Sequence, residues 1–193
     1  MKYCISLLAC VGMTLAICGC EEKAEIPAQS VESVQAPEPA QSVGPLELTI
    51  DFETTTTNGY YSPRNVHAVW IEKADGTFVK TLDLWGNRHA RELAEWRSKI
   101  ADMNAEIQAR TGATQQAYGT YTSRWDMKDT EGNEVPDGDY VIRFELTSDN
   151  ARANKYHRVS IPFTKNGTPA KTEPVSEGGY QNIVLDYQVA AAE

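Results

Sequence analysis

The chain has 193 residues, 41% of them apolar and 23% charged, a globular balance that excludes wholesale disorder and a multi-span membrane protein. Its formal charge is −9 with no Lys/Arg cluster. An acidic surface repels phosphate backbones, so no nucleic-acid partner is expected.

Lys2 gives a positive start, and the apolar run from Ile5 to Ile17 follows it. That run falls short of the roughly 20 residues needed to cross a hydrocarbon core, but it fits a secretory signal. It ends in Ile17-Cys18-Gly19-Cys20, which resembles a bacterial lipobox: a branched apolar residue, a tolerant position, a small residue and the cysteine that takes the lipid. The expected signal peptide is therefore 1–19, with Cys20 carrying the acyl chains (diacylglyceryl and palmitate) that hold the protein on a membrane facing the periplasm. Glu21, where an aspartate would favour retention in the inner membrane, points to the outer membrane. All four cysteines (Cys4, Cys10, Cys18, Cys20) lie in this segment. Cleavage before Cys20 leaves no disulfide, thiolate metal site, haem attachment or catalytic thiol in the mature body.

Residues 20–44 form the lipidated cysteine and a tether. The stretch from Glu21 to Gly44 is rich in Ala, Pro, Ser, Glu and Gln, and Pro27, Pro37 and Pro39 break any helix. Its apolar residues are too sparse for a core, so it reads as a disordered, extended spacer.

The folded domain is placed at 45–193. In LELTIDF (46–52), Leu46, Leu48, Ile50 and Phe52 alternate with polar residues, a half-buried strand. VHAVWIE (66–72) is almost wholly apolar and predicts a central strand. Ala74-Asp75-Gly76-Thr77 is a hairpin turn leading into a return strand over 78–85. Further strands are expected at 120–126, 140–147, 156–164 and 183–189. Seven short strands separated by turn signals predict a mainly β, Ig-like antiparallel sandwich. One segment differs: Leu93, Trp96, Ile100, Met103 and Ile107 recur at steps of three and four, predicting an inserted α-helix near 89–110. Such a helix would lie across an open end or edge of the sandwich. With Trp96 exposed, it would instead be a partner-binding face.

The segment from Trp125-Asp126 through Pro136-Asp137-Gly138-Asp139-Tyr140 resembles the strand-turn-strand signature of Ig-like domains related to the flagellar hook-capping protein. There Trp125 would anchor the core, and Tyr140 would bury its ring while its hydroxyl finds a polar partner. Asp126, Asp129 and Glu131 depart from EF-hand spacing and read as turn chemistry. A second resemblance is broader. Tyr61-Ser62-Pro63-Arg64-Asn65, Ala68-Val69-Trp70-Ile71, Phe78-Val79-Lys80-Thr81-Leu82 and Thr111-Gly112-Ala113-Thr114 are together similar to a family of predicted periplasmic proteins, domain of unknown function 2271. The resemblance implies an exported Ig-like domain of the kind found near membrane redox and flavin-transferase proteins, without an established activity.

Residues 111–114 also resemble the tail of the motif that FMN transferases modify, which makes Thr114 the candidate acceptor of a covalent FMN. Tyr118, Tyr121 and Trp125 would be available to stack on the flavin. Gln108 stands where that motif has an acidic residue, and Gly112 equally suits a helix C-terminal cap. The histidines His67, His89 and His157 have no ligand spacing, and no catalytic motif or metal site is expected. The expected protein is a lipid-anchored, non-enzymatic binding module without cofactor or small-molecule substrate. It would meet another envelope protein through a sheet edge, the inserted helix at Trp96, or the loop carrying Tyr60, Tyr61 and Arg64. The alternative is an electron carrier with FMN on Thr114.

Overall fold

The computed structural model describes residues 46–62, 64–109, 117–149 and 156–189. Cys20 and the signal, the tether, Pro63 and Thr114 lie outside the described residues. Nine strands are present among the described ones: β1 (Glu47–Thr54), β2 (Val66–Lys73), β3 (Phe78–Trp85), β4 (Gly119–Trp125), β5 (Gly138–Thr147), β6 (Tyr156–Lys165), β7 (Ala170–Lys171), β8 (Val175–Glu177) and β9 (Tyr180–Gln188). One sheet runs β4-β1-β9-β7 with β8 also on β9, and the other runs β3-β2-β5-β6. Every pairing is antiparallel. The expected mainly β, Ig-like sandwich is what the chain forms, with the short β7 and β8 added to the seven strands legible in the sequence.

The alternation in β1 does what period 2 requires. Leu48, Ile50 and Phe52 are fully buried and meet Val69, Ile71, Ile142, Phe144, Ile183 and Leu185 in the core between the sheets. Trp125 and Tyr140 pack edge to face there, 5.2 Å apart. The Tyr140 hydroxyl donates to the Pro136 carbonyl at 2.6 Å, the kind of corner bond by which a sandwich tyrosine fixes a strand start. The hairpin at 74–77 also forms as read, with Gly76 at φ 85° and the Thr77 amide donating to Asp75 Oδ1 at 2.9 Å.

The helical insertion departs from expectation. In place of one helix there are a short 3-10 helix (Asn87–Glu92), α1 (Ala94–Lys99) and α2 (Met103–Ala109). Leu93 and Ile100 interrupt the path with extended ψ values of 98° and 145°. Asp102 then restarts it, accepting from the Asn104 and Ala105 amides at 2.9 and 3.1 Å. The chain has to double back, and α2 contacts the 3-10 helix. The insertion packs over the edge strand β3 and its neighbour β2. It lies on the outer face of the β3-β2-β5-β6 sheet, where Ala90, Leu93 and Trp96 join Val66, Ala68, Trp70 and Leu84 in a second apolar cluster. Burial of both faces of β2 explains why its sequence is almost continuously apolar.

Candidate interaction surface

Register places the described parts of the domain along one axis. Glu47 pairs with Gln188, so β1 begins and β9 ends at the same end of the sandwich. At the other end, Thr54 lies opposite both Gly119 and Tyr180. The β1–β2 connection, the start of β4 and the end of β5 meet there, and this end is called the tip.

The tip loop is clamped by its neighbours. The Tyr60 amide donates to Asp149 Oδ1 at 3.1 Å, and the Tyr61 amide to the Ser148 carbonyl at 2.9 Å. Thr57 and Ser148 hydroxyls are 2.7 Å apart, and Ser62 bonds to the Tyr118 hydroxyl. A Cβ on Gly59 would fall onto the Ser148 hydroxyl and 2.6 Å from Asp149 Oδ2, so only glycine allows this approach. On this fixed backbone Tyr60 and Tyr61 are 78% and 41% exposed, with rings edge to face at 4.9 Å. They are the exposed large hydrophobic side chains among the described residues. Arg64, also exposed, is joined to them through its amide, which donates to the Tyr61 carbonyl at 2.8 Å.

Trp96 has a different place. It is fully buried, and its indole N–H donates to Thr81 Oγ1 at 3.1 Å. It fixes the insertion to the sheet and offers no docking face, because the insertion itself is the cover. Trp125 is fully buried too, and half-buried Tyr121 packs against Trp85 at 4.7 Å, so neither is a free stacking platform. One edge strand, β6, is guarded. β6 carries Pro162, which cannot donate to an added strand. Asp126, just past the end of β4, pairs with Lys80 of β3 at 2.7 Å. Burial pushes the Asp126 carboxyl up, but the Lys80 contact and the Lys128 amide outweigh it and leave its pKa lowered.

His67 is a core histidine. Its Nδ1 lies 2.7 Å from the Tyr180 hydroxyl, and its ring stacks on Phe52. Desolvation by burial brings its pKa down to about 3. Thr54 Oγ1, both polar atoms of Asn65 and His67 Nε2 are buried without a hydrogen-bond partner, and all belong to the tip end of the core.

Beneath the insertion lies a charge network that the sequence reading missed. Glu145, fully buried, accepts from the Glu95 and Trp96 amides and pairs with Arg158 at 2.8 Å. Glu72, also fully buried, accepts from Trp70 Nε1 at 2.8 Å and pairs with Arg143 and Lys99 at 3.1 and 3.2 Å. The alternation Arg143-Phe144-Glu145 was the available signal, but it reads as an ordinary solvated strand face until something covers it.

At the end opposite the tip, a cleft of about 470 Å³ opens between the 74–77 turn, the α1–α2 junction and the 129–136 connection. Two of its carboxylates are engaged locally: Asp102 caps α2, and Asp129 accepts from the Asn133 amide at 2.8 Å. Among the described residues, no three His, Cys, Asp or Glu side chains are grouped to hold a metal ion. No described helix is long and apolar enough to cross a membrane.

A two-sheet antiparallel sandwich with a helical strap over one outer face and an aromatic loop at one end defines a compact Ig-like module. The chain belongs to the family of predicted periplasmic proteins DUF2271, whose model matches residues 47–181. No curated protein and no solved structure matches it.

Proposed function

We propose that this periplasmic-family protein is a non-enzymatic accessory module, anchored through lipid on Cys20 and facing the periplasm from the outer membrane. It engages another envelope protein through the loop bearing Tyr60, Tyr61 and Arg64. The observation that carries this reading is the pair of exposed tyrosines on a backbone held by Ser148 and Asp149. A rigid aromatic pair with an arginine beside it is the composition that dominates protein–protein contact energies, and a clamped loop loses little freedom on docking. Two measurements test it. Labelled palmitate enters the wild type and not Cys20→Ser, and a photo-crosslinker at position 60 yields a protein adduct in cells. A Cys20→Ser chain that still labels sinks the anchor, and no protein adduct at position 60 sinks the docking role.

The alternative is an extracytoplasmic electron carrier with FMN on Thr114. Its support is that β4, which begins five residues after Thr114, starts beside the tip where Tyr118 bonds to Ser62. Co-expression with an FMN transferase, followed by a denaturing gel under ultraviolet light, decides it. A fluorescent band lost in Thr114→Ala establishes the carrier, and a dark wild-type band removes it.

A further inference from the structure

We propose that Asn58-Gly59 is a self-modification site at the tip: the loop converts its own asparagine to isoaspartate, and the conversion undoes the clamp that presents Tyr60 and Tyr61. The chemistry stands on the loop alone, whereas its consequence for docking rests on the reading of the tip as a partner surface.

The sequence holds two Asn-Gly pairs, at 58–59 and 166–167. A glycine after asparagine leaves its amide nitrogen unshielded by a side chain, so that nitrogen can reach the asparagine side-chain carbon. At 58 the surroundings favour this approach. Asn58 is exposed and sits at φ 52°, and residues 55–59 belong to no helix or strand. The Thr56 hydroxyl donates to Asn58 Oδ1 at 3.4 Å, which polarises the carbonyl to be attacked. The Asn58 amide donates back to that hydroxyl at 3.1 Å. The next peptide group, the Asn58 carbonyl with the Gly59 N–H, makes no hydrogen bond among the described residues, whereas the Gly59 carbonyl takes the Ser62 amide at 3.0 Å. The nucleophile is therefore unoccupied and its peptide plane can turn. At Asn166 the side-chain oxygen instead accepts from the Thr168 amide at 3.0 Å, which ties that side chain into its own turn.

The reaction balances without an enzyme, cofactor or oxidant. The Gly59 nitrogen attacks Asn58 Cγ, the Cγ–Nδ2 bond breaks, and ammonia leaves with the amide proton, closing a cyclic imide. Water then opens the ring. Cleavage at the side-chain carbonyl leaves an aspartate in a normal chain. Cleavage at the main-chain carbonyl leaves isoaspartate, in which the backbone runs through the side-chain carbon and is one atom longer. Either route consumes water and releases ammonia, and it puts a carboxylate where a neutral amide stood.

The clamp has no slack for the extra atom. It grips the chain on both sides of the pair, through the Thr57 and Ser148 hydroxyls at 2.7 Å, the Tyr60 amide on Asp149 at 3.1 Å and the Tyr61 amide on the Ser148 carbonyl at 2.9 Å. Between these points Gly59 lies so close to Ser148 and Asp149 that not even a methyl group fits. The new carboxylate arises one residue from that contact, and Asp149 is only 7% exposed, so the two like charges repel with little water to screen them. Conversion therefore loosens the loop that carries the tyrosines and gives the docking surface a limited lifetime. Conversion at Asn166 would leave the tip alone, because the β6–β7 connection lies at the other end of the sandwich.

The test ages the full-length chain in mildly alkaline buffer. Peptide mapping with isoaspartyl methyltransferase marks the product, and hydrogen exchange at the Tyr60 and Tyr61 amides reads the clamp. The expected result is aspartate and isoaspartate accumulating at position 58, with exchange at the two amides at least about tenfold faster in the converted fraction. Asn58→Gln, whose longer side chain cyclises far more slowly, should keep its protection over the same period. So should Asn58→Gly, which holds the left-handed backbone without strain and has no amide to lose. Asn58 remaining intact, or conversion confined to Asn166, overturns the site. Conversion with unchanged exchange at Tyr60 and Tyr61 overturns the release of the clamp. In cells, a chase after synthesis stops should show the adduct yield from position 60 falling with age in the wild-type sequence and holding steady in Asn58→Gln. A yield that falls equally in both overturns the link to docking. Absence of any adduct from fresh chain removes the docking reading and leaves the modification site standing on its own two readouts.

Discussion

The hydroxyl of Tyr180 lies 2.7 Å from Nδ1 of His67, wholly inside the sandwich and between its two sheets. Burial keeps the Tyr180 proton on by raising its pKa well above the ordinary value and keeps the imidazole neutral by lowering its pKa to about 3. The pair is a neutral cross-link between β2 and β9.

Stability therefore depends on pH in a defined direction. The unfolded ring takes up a proton below its ordinary value of 6.5, whereas the folded ring does so only near 3. Across that window the unfolded state binds more protons, so stability falls as pH falls. From about pH 7.5 to pH 5 the His67 contribution to this loss is about 2 kcal/mol. Urea titrations at both pH values should show a loss smaller by that amount in His67→Gln. An equal loss in both proteins would place the titration elsewhere.

The insertion should detach as a unit. Trp96→Ala removes a fully buried indole from the second apolar cluster and is expected to cost about 3–5 kcal/mol. Glu145→Ala removes the acceptor of two α1 amides. Hydrogen bonds to a charged group are worth about 1.5–3 kcal/mol, so exchange at the Glu95 and Trp96 amides should speed at least about tenfold. Protection in β1 should change far less, because the main core lies on the other face of the sheet. This is readable by hydrogen-exchange mass spectrometry.

At the tip, Gly59→Ala should be destabilising by about 1–3 kcal/mol, since the new methyl overlaps the Ser148 hydroxyl and Asp149. It should also lower adduct yield from position 60 while leaving the tyrosines and arginines in place. A full adduct yield would show that the clamp is unnecessary for docking.

Asn65→Leu addresses the unpartnered polar end of the core. Both polar atoms of Asn65 lack partners, and an apolar side chain of similar shape removes that penalty. The expected result in urea titration is neutral to about 1 kcal/mol more stable. A loss of about 2 kcal/mol or more would mean that buried water serves these atoms.

The sandwich was legible because its strands alternate or run apolar over short stretches, and its turns carry glycine and aspartate where positive φ or an amide acceptor is needed. β1 and the 74–77 hairpin follow from local rules alone, whereas the places of Trp125 and Tyr140 were what the family resemblance implied. The helical stripe was legible as apolar but not as broken. Leu93 and Ile100 leave helical geometry because the chain must turn back over the sheet, a demand that arises only when the sheet is present.

What the sequence determined by itself is therefore local: which segments extend, where they turn, and which faces are apolar. Tertiary structure alone decided that Trp96 is sealed against Thr81, that Glu72 and Glu145 sit under a helical cover, and that Tyr60, Tyr61 and Arg64 stand at the end opposite the start of β1. The physical reason is that burial and electrostatic environment are properties of what lies across the fold. Residues far apart in the chain supply that covering, and no spacing along the sequence records it.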